Sequence, residues 1–430
     1  MQVNPIFLRS LNGHASKTAS RVEQLCEHLR KDRYVRVALG FLERTGGDHM
    51  KDLSMGSCDK HRVGFMEGQR VVNFGSANFL GLDFDPRLQD AVHRGVEKWG
   101  VHQYSSRTFY SIEPYEEVES RLAAWLDVED TLLFPCVTKL HAGALPALAG
   151  KGDVLAIDRF SHNSIWKASK IASANGAEVR EFDANDPDAL AKVCKRPKKA
   201  NCIVVVDGVY SMTGETPRLG ELDTAAKQHG ALLYVDDAHG TGVVGPGGKG
   251  AAYEPIGSLR DILYVGSLSK GFSALGGFIT CTPALKLILK LKSDSYIFSG
   301  PIPPPYLEVI KQVLDIVESP EHECLLGELR ARVNHFTSGL RQKGVKFRGG
   351  IGPIVSIVVG DIEKTLEAGR RLFELGYYVQ SVTYPAVPLN GGLLRVQINA
   401  NHTWEAIEGL LEAIGNVSRC VCFVGLEGVA

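Results

Sequence analysis

The 430-residue sequence lacks an excess of charge of either sign: 48 Lys and Arg stand against 49 Asp and Glu, a formal net charge of −1. That balance excludes a chain-wide electrostatic grip on nucleic acid or on an anionic membrane, and leaves room for a local basic pocket. No run of about 18 apolar residues occurs, so nothing reads as a membrane span. The N-terminus has no apolar core of a secretory signal. Arg9, Lys17 and Arg21 among Ser and Thr have some transit-peptide character, which Glu23, Glu27 and Asp32 weaken. Nine cysteines are scattered singly, an odd number with no CxxC pair. Neither a disulfide framework nor a metal site is therefore expected, and a reduced cytoplasmic setting fits best. Cys420 and Cys422 read as an ordinary pair near a helix end. Disorder is excluded by 44% hydrophobic residues and near-zero net charge. No internal repeat is evident.

What the chain has in excess is glycine, 46 residues, about 11% against a usual 7% or so. The glycines stand singly or in pairs at the ends of apolar runs. There they supply positive φ or let a backbone approach a ligand, which points to tight turns at strand ends and a phosphate site.

Length predicts two to three domains. Residues 1–70 read as an N-terminal helical arm, with Leu25, Leu29, Val35, Val37, Ala38 and Phe41 at ragged helical spacing and Gly46-Gly47 ending it. Residues 71–305 alternate short apolar runs with amphipathic segments. The runs are Thr131–Phe134, Val154–Ile157, Cys202–Val206, Ala231–Val235, Ile262–Val265 and Phe278–Cys281. Strands that are apolar throughout, alternating with helices, predict a parallel sheet covered on both faces. Pro301–Pro305 breaks this rhythm, and one long helical stretch follows over roughly 306–343. The rest of 306–430 reads strand, helix, strand, strand, helix, a smaller α+β domain.

Three apolar runs end in chemically loaded tips: Asp207 to Met212, Asp236 to Gly242, and Gly266 to Gly271. In a parallel sheet the carboxyl ends of the strands form the ligand crevice, so these tips should converge. Lys270, among small residues, is suited to a Schiff base if it is desolvated; taken alone it is an ordinary loop lysine. Asp236 or Asp237, ending an apolar strand, needs a cationic or donor partner if buried. A protonated pyridine nitrogen would serve, as would a salt bridge. His239 follows three residues after Asp236, and the Ser267 hydroxyl precedes Lys270 by three. Together these match the needs of pyridoxal 5′-phosphate (PLP): a lysine for the aldehyde and a carboxylate to keep the ring nitrogen protonated.

With these motifs the sequence resembles the α-oxoamine synthases, a family within the aspartate-aminotransferase fold that includes 8-amino-7-oxononanoate synthase, 2-amino-3-ketobutyrate ligase, 5-aminolevulinate synthase and serine palmitoyltransferase. The likeness runs from about Asn73 to about Ala413. It rests on Asn78-Phe79-Leu80-Gly81-Leu82, Ser106-Arg107, Ser161-His162-Asn163-Ser164, Tyr210-Ser211-Met212-Thr213-Gly214, Asp236 to Gly242, Ser267-Leu268-Ser269-Lys270, Gly276-Gly277, and Pro385 to Pro388 before Arg395. The resemblance implies fold type I: a mainly parallel seven-stranded sheet in a large domain, with a smaller α+β domain. It implies a homodimer with shared active sites. It also implies PLP-dependent decarboxylative condensation of an amino acid with an acyl thioester, on coenzyme A or an acyl-carrier protein. Lys270 would carry the cofactor and shuttle the α-proton. Asp236 would meet the ring nitrogen, His239 the phenolic oxygen, and His162 the ring face. Ser211 would touch the phenolic side and Ser267 the phosphate. Asn78, Arg107 and Arg395 would lie on the substrate side, although Arg395 also reads as a structural ion pair.

The pattern departs from the family in four places. Cys136-Val137-Thr138 stands where a Gly and an aromatic usually open the phosphate-gripping helix, which ends its first turn in Asn. Aromatics fill Thr108–Tyr115 where a Gly and a His are expected. Thr383-Tyr384 replaces an arginine that binds the amino-acid carboxylate in bacterial members. Ser299-Gly300 replaces a Ser-Thr pair that reaches the partner's phosphate. Two other readings remain at this point: an aminotransferase or aldolase-type lyase on the same cofactor, and a non-catalytic partner subunit. The last would lack the Schiff-base lysine that Lys270 supplies.

Overall fold

A computed structural model describes residues 20–33, 35–36, 39–40, 53–102, 105–197, 199–384 and 386–424. The chain divides into two units, Met1–Ser54 and Met55–Ala430. In the first, Arg21–Arg30 is a helix started by a capping box: the Glu23 amide donates to the Ser20 hydroxyl, and the Ser20 amide donates to the Glu23 carboxylate. Val37, Ala38, Phe41, Gly46 and Gly47 of the expected arm, with Arg9 and Lys17, lie outside the described residues.

The helical arm expected to reach residue 70 is corrected over its last part. β1 (Met55–Cys58), β2 (Val63–Met66) and β3 (Gln69–Asn73) form an antiparallel meander. Glu67 and Gly68 both take positive φ between β2 and β3, as a two-residue type I′ turn requires. Glu-Gly is a weak form of that signal, so the hairpin was not legible.

The large sheet has seven strands: β4 (Asp130–Phe134), β5 (Val154–Asp158), β6 (Glu178–Phe182), β7 (Cys202–Asp207), β8 (Leu232–Asp236), β9 (Leu263–Ser267) and β10 (Gly277–Cys281). Their order is β4-β10-β9-β8-β7-β5-β6, with β10 alone antiparallel to its neighbours. The apolar runs behave as expected of strands buried on both faces. Val204, Val206, Leu233 and Val235 enter one core; Ile203, Val205, Tyr234 and Val265 enter the other. The edge strand β6 reads Glu-Val-Arg-Glu-Phe, half polar, and for that reason escaped the list of apolar runs.

The expected helix over 306–343 is two helices, Pro304–Val317 and Pro320–Gln342. Pro320 has no N–H to continue the first, and Ser319 caps the second by accepting from the Glu321 amide at 3.2 Å. Beyond them β11 (Phe347–Gly349), β12 (Ile354–Gly360), β14 (Gln380–Val382) and β15 (Gly392–Gln397) form an antiparallel sheet, order β11-β12-β15-β14. β13 (Tyr377–Tyr378) pairs instead with β3. The helices Ile362–Glu374 and Trp404–Val421 cover the core side of this sheet with Leu372, Ile407 and Leu411. No described helix is long and apolar enough to cross a membrane.

Candidate active site

Four adjacent parallel strands, β5, β7, β8 and β9, end in Asp158, Asp207, Asp236 and Ser267. Three buried carboxylates at one sheet edge repel one another, so their partners decide which is ionised. Asp236 accepts from His141 Nε2 at 2.8 Å and from the Ala238 amide at 3.2 Å. His141 is fully buried inside the Val137–Leu148 helix, and its Nδ1 meets the Tyr234 hydroxyl at 2.8 Å. Burial alone would raise the Asp236 carboxyl. The His141 imidazole, aided by Lys270 and His162, overcomes this and holds it below its ordinary value. Asp207 goes the other way, raised well above the carboxylate range by burial and by the neighbouring Asp236 charge. It anchors the backbone of His162, accepting from its amide at 3.1 Å.

Lys270 is half-buried in a loop that folds back on itself, with Ser273 and Ala274 amides bonded to Lys270 and Leu268 carbonyls. Its pKa is lowered by burial and by the Arg395 guanidinium, against the pull of Asp236. His239 is pushed well below its ordinary value by burial, with Lys270, Arg395 and His162 adding to the effect, and so stands neutral. His162 caps the Asn163–Ala174 helix and is also lowered, chiefly by burial. Its Nδ1 is engaged by the Ser164 amide and hydroxyl, while the residue stays solvent-accessible. Lys270, Asp236, His239, His162 and Arg395 are thus one electrostatic cluster.

Beside it the Val137–Leu148 helix begins. Its N-cap, Cys136, makes no side-chain capping bond, so the amides of the first turn, at Val137 and Thr138, are open to an anion. Gly277 lies in register between Ser267 and Phe134, and a Cβ on it would meet Val137 Cγ2 at 2.7 Å and Val137 N at 3.0 Å. This glycine therefore lets the helix start approach the sheet next to Ser267. The Ser267 hydroxyl is buried and faces Ser269 Oγ at 3.0 Å. Ser211 sits in the turn after β7, partly exposed. Ser299 donates to the Ser295 carbonyl at 2.5 Å and lines a small cavity with Arg107, Phe134 and Pro135.

On the small-domain side Arg395 is 8% exposed in the middle of β15. Its Nη1 donates to Gln380 at 2.7 Å, and among the described residues its Nε has no partner and it forms no ion pair with a carboxylate. Burial lowers its pKa to about 10. The segment carrying Asn78 is laced to the end of β15: Gln397 Nε2 donates to the Gly75 carbonyl, Asn399 Nδ2 to Ser76, and the Ala400 amide to Phe79. Asn78 itself is half-buried. Pro385 of the Pro-x-x-Pro motif lies outside the described residues.

Arg107, expected on the substrate side, is committed elsewhere. Its Nη1 bonds Glu119 at 2.7 Å and its guanidinium lies 3.8 Å over the Tyr115 ring. Both members are almost fully buried, and Lys286 meets the other Glu119 oxygen at 2.9 Å. Arg107 thus presents only Nη2 without a partner. Part of the glycine excess also has a different use. A Cβ on Gly208, Gly240 or Gly250 would come within 2.1–2.4 Å of the Asp237 carboxylate. These glycines make room for a further buried acid, whose pKa burial lifts to about 7.

The two residues that sequence reasoning missed are His141 and Asp207. The signal for His141 was a lone imidazole inside an otherwise apolar helix. Asp207 stood in a quoted strand tip, but only the register Asp207↔Asp236 shows that it flanks the site. The set fits PLP on its own chemistry: a desolvated lysine, a carboxylate kept ionised, a neutral histidine, and uncapped helix amides beside a buried serine.

Residues 69–414 match the family model "Aminotransferase class I and II". The chain is 34% identical to an 8-amino-7-oxononanoate synthase of Pelobacter propionicus over 357 residues, 82% of this chain and 90% of that one. A second 8-amino-7-oxononanoate synthase, from Geobacter sulfurreducens, is also 34% identical, over 82% and 90%. Among solved structures, a serine palmitoyltransferase of S. paucimobilis with bound PLP-myriocin aldimine superposes with a TM-score of 0.85 at 28% identity, covering 92% of this chain and 99% of that one.

Proposed function

The chain belongs to the α-oxoamine synthases of the class I and II aminotransferase family, and from that premise we propose how its own residues divide the work. The activity is PLP-dependent condensation of an amino acid with an acyl thioester, with loss of CO2, giving an α-amino ketone and a free thiol. Bound at this site, PLP supplies an electron sink for negative charge at the substrate α-carbon. Lys270 would hold the cofactor through Nζ, and the same amine, once released, would take and return the α-proton. A lysine whose pKa is lowered by burial is matched to that task near neutral pH. Asp236 would stabilise a protonated ring nitrogen, His239 with Ser211 would hold the phenolic oxygen, and His162 would lie against the ring. The amides at Cys136, Val137 and Thr138, with Ser267, would take its phosphate.

The observation that carries the assignment is the Asp236–His141 pair at 2.8 Å, a buried carboxylate held below its ordinary pKa by an imidazole, with Lys270 and His162 adding to the pull. Arg395 is the substrate-carboxylate ligand: it is buried, and among the described residues its Nε has no partner and it has no ion-pairing carboxylate. Asn78 closes the same side. Arg107 acts by bonding Ser111 and lying over the Tyr115 and Tyr296 rings, which fixes its own segment, rather than by touching substrate. The enzyme is a cytoplasmic homodimer. Supporting this, Phe109 and Phe298 are each 81% exposed on segments joined by the Ser106–Ile297 bond, next to Ser299. Two exposed phenylalanines beside a site residue fit a subunit boundary, and Ser299 would reach the partner's phosphate across it. The large PLP-binding domain ends near 305 and the small domain follows.

The holoenzyme, given single amino acids and a panel of acyl thioesters, should release free thiol only when both substrates are present. Transfer of the amino group to a 2-oxo acid with no thioester would make it an aminotransferase. Cleavage of a β-hydroxy amino acid alone would make it a lyase.

A further inference from the structure

Among the described residues three arginines are buried, Arg62, Arg107 and Arg395, at 3%, 8% and 8% exposure. Taking a guanidinium out of water is costly unless a carboxylate meets it. Two of the three follow that rule: Arg62 pairs with Asp83 at 2.6 Å, and Arg107 with Glu119 at 2.7 Å. Arg395 departs from it. Its cross-strand neighbours are Ser356 and Gln380, both uncharged. Its Nη1 donates to the neutral Gln380 Oε1 at 2.7 Å. With a pKa of about 10 it still carries its proton at neutral pH. That charge reaches the catalytic cluster, where it helps to lower Lys270 and His239.

The Gln380 amide has one satisfied orientation. The Gly75 carbonyl can only accept, and Gln397 Nε2 donates to it at 2.6 Å and Gln380 Nε2 at 3.3 Å. With its nitrogen turned to Gly75, Gln380 presents its oxygen to Arg395, and Gln397 Nε2 donates to that same oxygen at 3.3 Å. A flipped amide would set an NH2 against the guanidinium and an oxygen against a carbonyl. Gln397 is 1% exposed, so the ring of bonds belongs to the interior. It joins β14 and β15 to the segment that leads into Asn78.

We propose that Gln380, held by Gln397 and Gly75, is a positioning residue that aims the Arg395 guanidinium at the substrate carboxylate while leaving its charge unneutralised. A glutamate in its place would orient the guanidinium as well, but would form an internal ion pair that competes with the substrate. A neutral acceptor fixes direction without cancelling charge. The fold bears a buried, unpaired cation as the stability cost of that binding function. Thr383-Tyr384, at the place of a family arginine, adds no positive charge, so the electrostatic attraction of the carboxylate falls to Arg395. The inference rests on the reading of Arg395 as the substrate-carboxylate ligand.

The experiment titrates holoenzyme with glycine, L-alanine and L-serine, and with methylamine, ethylamine and ethanolamine, the same molecules without the carboxyl group. Binding is read from the visible absorbance, for wild type, Gln380→Glu, Gln380→Met and Arg395→Gln. In Gln380→Glu the affinity for the amino acid should fall about 10- to 100-fold, the range of a charge-assisted hydrogen bond. Affinity for the matching amine should stay within about twofold, and the melting temperature should equal or exceed that of wild type. In turnover the KM of the amino acid should rise by the same factor, with kcat at saturation within about twofold. Gln380→Met keeps the charge and loses the neutral acceptor, so it should weaken the amino acid about fivefold and spare the amine. A combination of lost substrate affinity and retained stability is what a merely structural glutamine would not produce. If Arg395→Gln loses the amino acid and Gln380→Glu does not, the inference falls and the reading of Arg395 stands. Equal loss of amino acid and amine in the Gln380 variants also overturns it. If Arg395→Gln binds the amino acid as wild type does, or wild type binds none of the three, both fail.

Discussion

His141 is the residue whose removal tests the electrostatics of the site most sharply. It contributes a 2.8 Å bond to Asp236 and sits at zero exposure. In His141→Ala the buried Asp236 carboxylate keeps one bond, from the Ala238 amide at 3.2 Å. A hydrogen bond to a charged group contributes about 1.5–3 kcal/mol, which is about 1–2 pK units on the carboxyl at 1.36 kcal/mol each. Asp236 would then shift upward and lose its hold on a protonated ring nitrogen. PLP affinity should fall about 10- to 100-fold, measured by titrating the apoprotein with PLP and following its visible absorbance. The pH dependence of that band should move as well. Tyr234→Phe removes only the far bond and should cost about 1 kcal/mol. His141→Asn, which keeps a side-chain amide donor there, should fall between the two. A thermal melt separates these effects from simple loss of fold. If His141→Ala binds PLP within twofold of wild type with an unchanged pH response, the argument about Asp236 is wrong.

Asp237 gives a stability prediction. Burial, with Asp236 adding to it, raises its pKa from an ordinary 3.8 to about 7. The folded chain therefore keeps a proton that the unfolded chain has lost. This group's contribution is complete below about pH 4 and is lost as pH rises through about 7, roughly 4 kcal/mol in all. Asp237→Asn should flatten that slope in urea denaturation at pH 5 and pH 8; parallel profiles for variant and wild type would refute it. Arg395→Gln should raise the KM of the amino acid about 10- to 100-fold with an unchanged melting temperature; an unchanged KM removes Arg395 from the substrate. Glu119→Gln leaves the buried Arg107 without its charge partner and should cost about 3–5 kcal/mol of stability with little effect on KM, read from chemical denaturation and steady-state kinetics.

The strands of the large sheet were legible because each is apolar throughout, the mark of burial on both faces. The converging tips followed from the same observation, since polar residues at the carboxyl ends of such strands have one place to go. What escaped depends on distant pairing. β6 is half polar because one side of it is an edge. The β2–β3 hairpin turns on Glu67-Gly68, without the Asn-Gly or Asp-Gly that announces such turns. Arg107 and Glu119 are 12 residues apart, and no local pattern says that Leu133 and Lys286 complete their pair. His141 becomes meaningful only when the helix after β4 is laid beside β8. Glycines at strand ends are expected to serve tight turns and a phosphate site. Gly277 makes the helix start accessible, but Gly208, Gly240 and Gly250 surround Asp237.

The central claim is that carbon–carbon bond formation with a thioester, and not the amino acid alone, drives loss of the carboxyl group. Amino acids labelled with ¹³C at the carboxyl are mixed with holoenzyme, with and without an acyl thioester, and labelled CO2 is followed in a single turnover. The account predicts labelled CO2 only when the thioester is present, and none from the Lys270→Ala protein. Equal release of labelled CO2 without any thioester would contradict it.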